Sequence, residues 1–162
     1  MESLNLPMGK NKGAVKFQII QYASICEALL NYTLEVYYKE EFEKAYAADT
    51  YAPNSSAMSS KTKITHEGKD LYLCLKKNEK AKITWTANPT KAEFAVKKGI
   101  IAADTRDKYC ALYDLRNNAH ILKAARANYY PKVAEAKAAY LLVFQFLNEV
   151  KQFFHTTPIS GK

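Results

Sequence analysis

"GAVKFQIIQYASICEALLNYTLEVYYKEEFEKAY", residues 13–46, sets the architecture of this chain, because it contains no proline and its apolar residues recur at alternating steps of four and three. The recurring positions are Val15, Ile19, Tyr22, Cys26, Leu29, Thr33 and Val36. This spacing predicts one face of an α-helix, which would be about 45 Å long for about 30 residues. Ile25, Leu30 and Leu34 widen the stripe, so we expect contacts with more than one neighbouring helix.

A short helix over residues 90–98 is expected in the segment "NPTKAEFAVKKG". Asn88 can cap this helix ahead of a proline at the first helical position, or Thr90 and Glu93 can form a capping box. Gly99 is well placed to end it.

Two longer helices are expected further along the chain. One runs from Asp104 to about Ala127, and Pro131 then stops or restarts the helical pattern. The last runs from about Lys132 to Phe154, and its middle, "AKAAYLLVFQFL", is apolar on nearly every side. That pattern indicates deep burial or a helix–helix contact between subunits.

The region between the first two helices has weaker signals. Residues 49–62 contain a proline, four serines and an asparagine with little periodicity, and they are expected to form a mobile surface loop. Residues 69–85 fit either a short hairpin or a short helix followed by an extended piece, and we favour a helix turn with an extended segment at 83–86. The whole chain is then a single all-α domain over residues 1–162.

This domain, with a core of about residues 14–154, is expected to be a bundle of four to five helices. Two long helices run antiparallel, and a small irregular insertion lies around residues 49–88. Hydrophobic residues make up 48% of the chain and charged residues 25%, which is typical of proteins that fold.

Charge and cysteine content restrict the partners and the compartment. The 24 Lys and Arg exceed the 16 Asp and Glu, which gives a formal charge of +8 and weakly favours polyanions such as RNA. The three cysteines, Cys26, Cys74 and Cys110, are an odd number without CxxC spacing, which favours a reduced, cytoplasmic setting without a zinc site. No secretion signal or membrane-spanning run is recognisable, and no cofactor motif such as GxxxxGK[ST] or HExxH is present.

The segment "LYDLRNNAHILKAA", residues 112–125, carries the candidate site. At about 100° per residue, Tyr113, Arg116 and His120 lie within roughly 40° of Tyr109 around the helix. The leucines cluster on another face, so these four residues are expected on a shoulder that meets solvent or a second subunit.

Arg116 and His120 are chemically suited to cleaving a phosphodiester in RNA without a metal ion. Histidine titrates near neutral pH and can accept or donate a proton, and a guanidinium holds phosphate oxygens through paired donors. Asn117 can orient the histidine or bind phosphate, and Tyr109 or Tyr113 can stack on a base. The alternative is structural: the same residues serve packing, or pair with acidic groups inside the bundle.

"YCALYDLRNNAHIL", together with the short helix "PTKAEFAVKKGII" and the upstream "QYASICEALLNYTLEVYY", resembles the HEPN superfamily (higher eukaryotes and prokaryotes nucleotide-binding domains). The resemblance implies a helical bundle that forms a homodimer. It assigns Arg116, Asn117 and His120 to the family's Arg–Asn and His motif, with three intervening residues where the family usually has four to six.

In that family, two subunits bring their motif residues into one composite cleft. The implied function is a metal-independent endoribonuclease of defence or toxin–antitoxin biology, with RNA as substrate and an antitoxin as a possible protein partner. The alternative implied function is a non-catalytic module that binds RNA, a nucleotide or a protein.

Overall fold

A computed structural model describes residues 12–53, 64–71, 74–118 and 131–157. The chain divides into two compact units, one made of residues 1–39 with 83–162 and the other of residues 40–82. The helices are α1 (Lys12–Tyr37), α2 (Lys39–Ala45), α3 (Asn88–Lys97), α4 (Ala103–Asn118) and α5 (Val133–Thr156). The strands are β1 (Ala48–Pro53), β2 (Ile64–His66), β3 (Lys69–Leu71) and β4 (Cys74–Glu79).

The fold is mostly helical, as the sequence predicts, and α1 lies at the centre of the first unit. It contacts α3, α4 and α5, which confirms that its wide apolar stripe serves several neighbours. The buried residues of α1 are Val15, Ile19, Ala23, Cys26, Leu30, Thr33 and Leu34. The predicted single helix to Tyr46 is interrupted after Tyr37, with no proline or glycine to mark the break.

The two longest helices, α1 and α5, run parallel. The rings of Tyr22 and Tyr140 contact each other with centroids 5.7 Å apart. Further along both helices, Tyr37 contacts Phe153 at 5.1 Å. For this pair the predicted antiparallel arrangement is wrong, because hydrophobic periodicity shows which face a helix buries but not its direction.

The helix α4 returns between them and runs antiparallel to α5. Near the start of α4, Thr105 donates a hydrogen bond to Glu149 near the end of α5, with 2.6 Å between the oxygens. One turn further along α4, Lys108 donates to the earlier residue Gln145 at 3.1 Å. The backbone N–H of Ala102 also donates to Glu149, at 2.8 Å, so a carboxylate from α5 caps the start of α4.

The second unit contains two antiparallel strand pairs. Strand β2 pairs with β3, and β1 pairs with β4. The favoured helix turn in residues 69–85 is therefore wrong. The alternative is correct only in that this segment contains strands, because β3 and β4 pair with earlier strands and not with each other as a hairpin. The side chains of β4 are all exposed, so its sequence lacks the apolar alternation that reveals a strand. In the first unit, Ile83–Trp85 forms a 3-10 turn and not the predicted extended segment.

The start of α3 differs from both predicted caps, whereas its end is as predicted. The helix begins at Asn88, one residue after Ala87, which makes no side-chain capping hydrogen bond. Gly99 adopts a positive φ of 68°, and the N–H of Ile100 donates to the carbonyl of Ala95 at 2.9 Å, a pattern that closes the end of a helix.

The predicted extension of α4 to Ala127 lies outside the described residues beyond Asn118. Among the helices described, none is long and apolar enough to cross a membrane.

Replacing Leu30 by alanine tests the central role of α1. Its side chain is fully buried, so we expect Leu30→Ala to lower the free energy of unfolding by about 2–5 kcal/mol. Leu141→Ala on exposed α5 surface is the matched control, with an expected change within about 0.5 kcal/mol. Urea denaturation followed by helical circular dichroism measures both, and equal losses would contradict this packing.

Candidate functional site

The buried face of α4 coincides only in part with the face that the leucines predict. Its buried residues are Thr105, Tyr109 and Leu112, and Arg116 follows at the next step of four. Tyr109 is fully buried and its ring lies 5.7 Å from that of Phe146 on α5. The predicted role of Tyr109 in stacking on a base is therefore corrected: its ring belongs to the core, because α4 turns this row toward α1 and α5.

Arg116 lies at the half-buried end of the same row and forms an ion pair with Glu27 on α1. Its Nη1 is 2.5 Å from Oε2 of Glu27, and the two side chains are 30% and 25% exposed. The guanidinium carbon also lies 5.4 Å from the ring centroid of Tyr113. The carboxylate and the ring together fix the orientation of the guanidinium, which has five N–H donors in a planar fork.

Glu27 also attracts a second cation, Lys91 on α3. The side chain of Lys91 is 1% exposed and its Nζ donates a hydrogen bond of 2.7 Å to Oδ1 of Asn31 on α1. Burial lowers the pKa of Lys91, and the negative charge of Glu27 acts in the opposite direction. One carboxylate thus faces two basic groups, from α3 and from α4.

The other ionisable groups beside Glu27 stay neutral at physiological pH. Burial raises the pKa of Tyr109 above its usual range, and the charge of Glu27 raises it further. Burial raises the pKa of the Cys26 thiol to about 12. Neither Tyr109 nor Cys26 therefore adds a charge beside Glu27.

Three polar atoms in this core have no hydrogen-bond partner among the described residues. They are the hydroxyl of Tyr109 and both amide atoms of Asn88 on α3. Asn88 is buried and stands one turn before Lys91 on the same helix. An unpaired buried polar group costs about 1–3 kcal/mol, so the polar character of this core is not explained by stability alone.

The remaining predicted site residues are brought together only in part. Tyr113 contacts Arg116 and is half-buried, and Asn117 is half-buried in the last turn of α4. His120 lies outside the described residues, so its position relative to Arg116 stays a prediction.

The sequence interpretation missed Glu27, Lys91 and Asn31. A signal for Glu27 exists: it is the one charged residue between positions 17 and 34. A lone carboxylate in such a stretch of a packed helix requires a cation. The sequence gives less reason to expect a role for Lys91, because lysine in the first turn of a helix is ordinarily a surface residue.

In the described part of the chain, no three His, Cys, Asp or Glu side chains lie together as a metal site requires. A cavity of about 350 Å³ lies between α4 and α5, lined mainly by alanine and leucine, including Leu115 and Leu142.

No protein-family profile, curated protein or solved structure matches the chain. The chemistry of the region around Arg116 is therefore inferred from the contacts within the chain. The positively charged guanidinium of Arg116 suits an anionic ligand.

A double-mutant cycle on Glu27 and Arg116 tests the ion pair. Glu27→Gln and Arg116→Gln should each destabilise the protein, and the double variant should lose about 1 kcal/mol less than the sum of the two, because each single change strands the other charge. Chemical denaturation measures all three.

The exposed pair Lys39–Glu35 provides a control cycle, with an expected coupling of about 0.3–0.5 kcal/mol. Strict additivity for Glu27 and Arg116 would show that the contact contributes nothing to stability.

Proposed function

We propose that this chain is a metal-independent endoribonuclease of HEPN type, in which Arg116 holds the scissile phosphate and His120 transfers protons. The observation that carries the proposal is the fixed, half-exposed guanidinium of Arg116, held by Glu27 and Tyr113 four positions before His120. The resemblance of "LRNNAH" to the HEPN motif supports the same assignment, and with it a role in defence or toxin–antitoxin biology is part of the proposal.

The contact with Glu27 leaves Arg116 able to bind a phosphate. The ion pair engages Nη1, and the guanidinium has further N–H donors on its other nitrogens. A guanidinium that is already oriented loses less conformational entropy when it binds, and paired donors match two phosphate oxygens. Lys91 lies close enough to Glu27 for the negative charge of Glu27 to act on it, so the carboxylate interacts with a second basic group besides Arg116.

The proposed reaction is an internal transfer within RNA. A neutral histidine removes the proton from a 2′-hydroxyl, the 2′-oxygen attacks the adjacent phosphorus, and the bond to the 5′-oxygen breaks. A protonated histidine donates a proton to that leaving oxygen, and Arg116 stabilises the negative charge that develops on the phosphate. Two copies of the chain would supply both histidines in a composite cleft, as the resemblance implies.

A non-catalytic module that binds RNA, a nucleotide or a protein such as an antitoxin is the second candidate. Two observations favour it: Arg116 is already paired within its own chain, and Tyr109 is buried and so cannot contact a base. In this function the half-buried Tyr113 and Asn117 beside Arg116 contact the ligand.

Incubation of the purified protein with RNA in EDTA tests the ribonuclease. We expect cleavage by the wild type, and a loss of about 10²–10⁴-fold in His120→Ala, the usual contribution of acid–base catalysis. His155→Ala, which changes an exposed histidine on α5, is the matched control and should keep full activity. Intact RNA with folded wild-type protein, or equal losses in both variants, would contradict the proposal.

The binding module gives a different result in the same preparation. RNA then binds without being cut, and its affinity falls as salt rises because phosphate contacts release counterions. Arg116→Gln should weaken that binding and reduce its dependence on salt. Binding that does not respond to salt would favour a protein partner.

A further inference from the structure

The helix α5 has an exposed apolar row that is separate from its buried side. Tyr140, Phe144 and Leu147 follow one another at steps of four and three, and all are substantially exposed. Lys137 stands one step before this row and Lys151 one step after it. At about 100° per residue, both lysines lie within roughly 20° of Phe144 around the helix. The exposed row of α5 therefore has a basic residue at each end.

The helix α1 carries a neighbouring exposed row, formed by Ile25, Tyr32 and Val36. At about 100° per residue, all three lie within roughly 80° of Tyr22 around the helix. Tyr22 contacts Tyr140, the first residue of the row on α5, and the two helices run parallel. We name the two rows together the α1–α5 seam and define it by their six exposed apolar residues.

Both rows lie on the side of their helix that faces away from α4. Glu27, which pairs with Arg116 on α4, follows Ile25 by about 200° around α1. Glu149, which accepts hydrogen bonds from the start of α4, follows Phe144 by about 140° around α5. The seam is therefore one face of the α1–α5 pair, and the candidate site around Arg116 lies on another side of α1.

The seam exposes a large apolar area. Its six side chains are between 38% and 61% exposed. At about 150–250 Å² for an aromatic side chain and somewhat less for an aliphatic one, the six leave roughly 500 Å² accessible. A contiguous apolar patch of this size typically marks an interaction with a protein, a membrane or a ligand.

All four carboxylates of α1 and α5 have partners within the chain. These residues are Glu27, Glu35, Glu135 and Glu149. Glu27 pairs with Arg116 and Glu149 bonds to α4, on the side away from the seam. Glu135 accepts a hydrogen bond from the backbone N–H of Lys132 and lines the cavity between α4 and α5. Glu35, which lies closest to the rows, forms an ion pair of 3.0 Å with Lys39. The apolar rows are thus flanked by basic groups and by neutralised carboxylates, which suits an anionic partner.

We propose that the α1–α5 seam docks on an anionic lipid surface, with α1 and α5 lying in the plane of the headgroups. The aliphatic and aromatic side chains enter the boundary between headgroups and acyl chains, and the tyrosine hydroxyls stay at the level of the headgroups. Lys137 and Lys151 are about 21 Å apart along α5 at 1.5 Å per residue, so they reach lipid phosphates at both ends of the apolar row. The helices lie on the bilayer and do not cross it.

The composition and the width of the seam favour lipid over RNA and over a single partner helix. RNA binds to aromatic rings and basic groups, but it would leave Ile25, Val36 and Leu147 without a partner. A helix with its side chains is about 10–12 Å wide, whereas two packed helices have axes about 8–10 Å apart and are each of that width. One partner helix would cover only about half of such a face, and a lipid surface covers all of it.

Flotation of the full-length chain with large unilamellar vesicles, without RNA, tests the role of the lysines. We expect the wild type to bind vesicles of equal parts phosphatidylglycerol and phosphatidylcholine, and to bind vesicles of phosphatidylcholine alone more than about tenfold more weakly. Lys137→Gln and Lys151→Gln should each lower the affinity for the anionic vesicles about fivefold. Lys97→Gln removes the same charge from the exposed surface of α3 and is the matched control, with an expected change below about twofold.

The same measurement tests the apolar rows. Phe144→Glu places a charge in the middle of the row on α5 and should lower the affinity for the anionic vesicles more than about tenfold, with unchanged helical circular dichroism. Ala138→Glu adds the same charge to α5 on the side that lines the cavity between α4 and α5, so it should bind as the wild type does. Tyr32→Glu on α1 should act like Phe144→Glu and covers a failure of that variant to fold.

A wild type that does not bind the anionic vesicles, or that binds neutral vesicles equally well, would overturn the proposal. Equal losses in Phe144→Glu and Ala138→Glu, or in Lys137→Gln and Lys97→Gln, would do the same. A single-stranded RNA oligonucleotide that binds where vesicles do not, with a loss in Phe144→Glu, would assign the seam to nucleic acid instead. The inference does not rest on the proposed ribonuclease: His120→Ala should bind vesicles as the wild type does, so the two proposals fail in distinguishable ways.

Discussion

The carboxylate of Glu27 connects three helices of the first unit. It stands on α1, pairs with Arg116 on α4 and attracts Lys91 on α3. A half-buried charge without a partner destabilises the folded protein. Removal of either partner of an ion pair therefore leaves the other charge unpaired, with the same unfavourable free energy. The three helices can slide relative to one another only by breaking these contacts, whereas purely apolar side chains tolerate small shifts more readily. The hydrogen bond between Lys91 and Asn31 adds a second link between α1 and α3.

The same carboxylate sets how Arg116 can act. An anionic ligand must share the guanidinium with Glu27, so its affinity is lower than that of an unpaired arginine, but the guanidinium is already oriented for it. Lys91 also attracts Glu27, and this attraction competes with the pairing of Glu27 and Arg116. The strength of the Arg116–Glu27 ion pair therefore distinguishes the two candidate functions. A strong ion pair favours a structural or binding role. A weak ion pair leaves N–H donors of Arg116 available for the negative charge that develops during phosphate transfer.

Hydrophobic periodicity predicted the helices, but it did not predict which residues meet. The helix over residues 13–37, the glycine at the end of α3 and the last helix follow from local patterns, because each depends on residues a few positions apart. The Arg116–Glu27 pair joins residues 89 positions apart, and its existence depends on the direction of α4 relative to α1. Tyr109 was misplaced for a related reason: the leucines of α4 indicate one apolar face, whereas the buried row also includes a threonine and a tyrosine. His120 follows the last described residue of α4, so the geometry of the motif itself stays a prediction.

The helix α5 shows why an all-round apolar sequence is ambiguous and how packing resolves it. Its inner row begins with the small residues Ala136 and Ala139, which let neighbouring backbones approach closely, and continues with Val143 and Phe146. Its outer row begins with the bulky Tyr140. Hydrophobicity does not distinguish the rows. Close packing distinguishes them in the first turns, because a large aromatic ring at the position of Ala136 or Ala139 would force the helices apart. The small residues thus determine which side of the first turns of α5 faces inward, and Tyr140, Phe144 and Leu147 stay exposed.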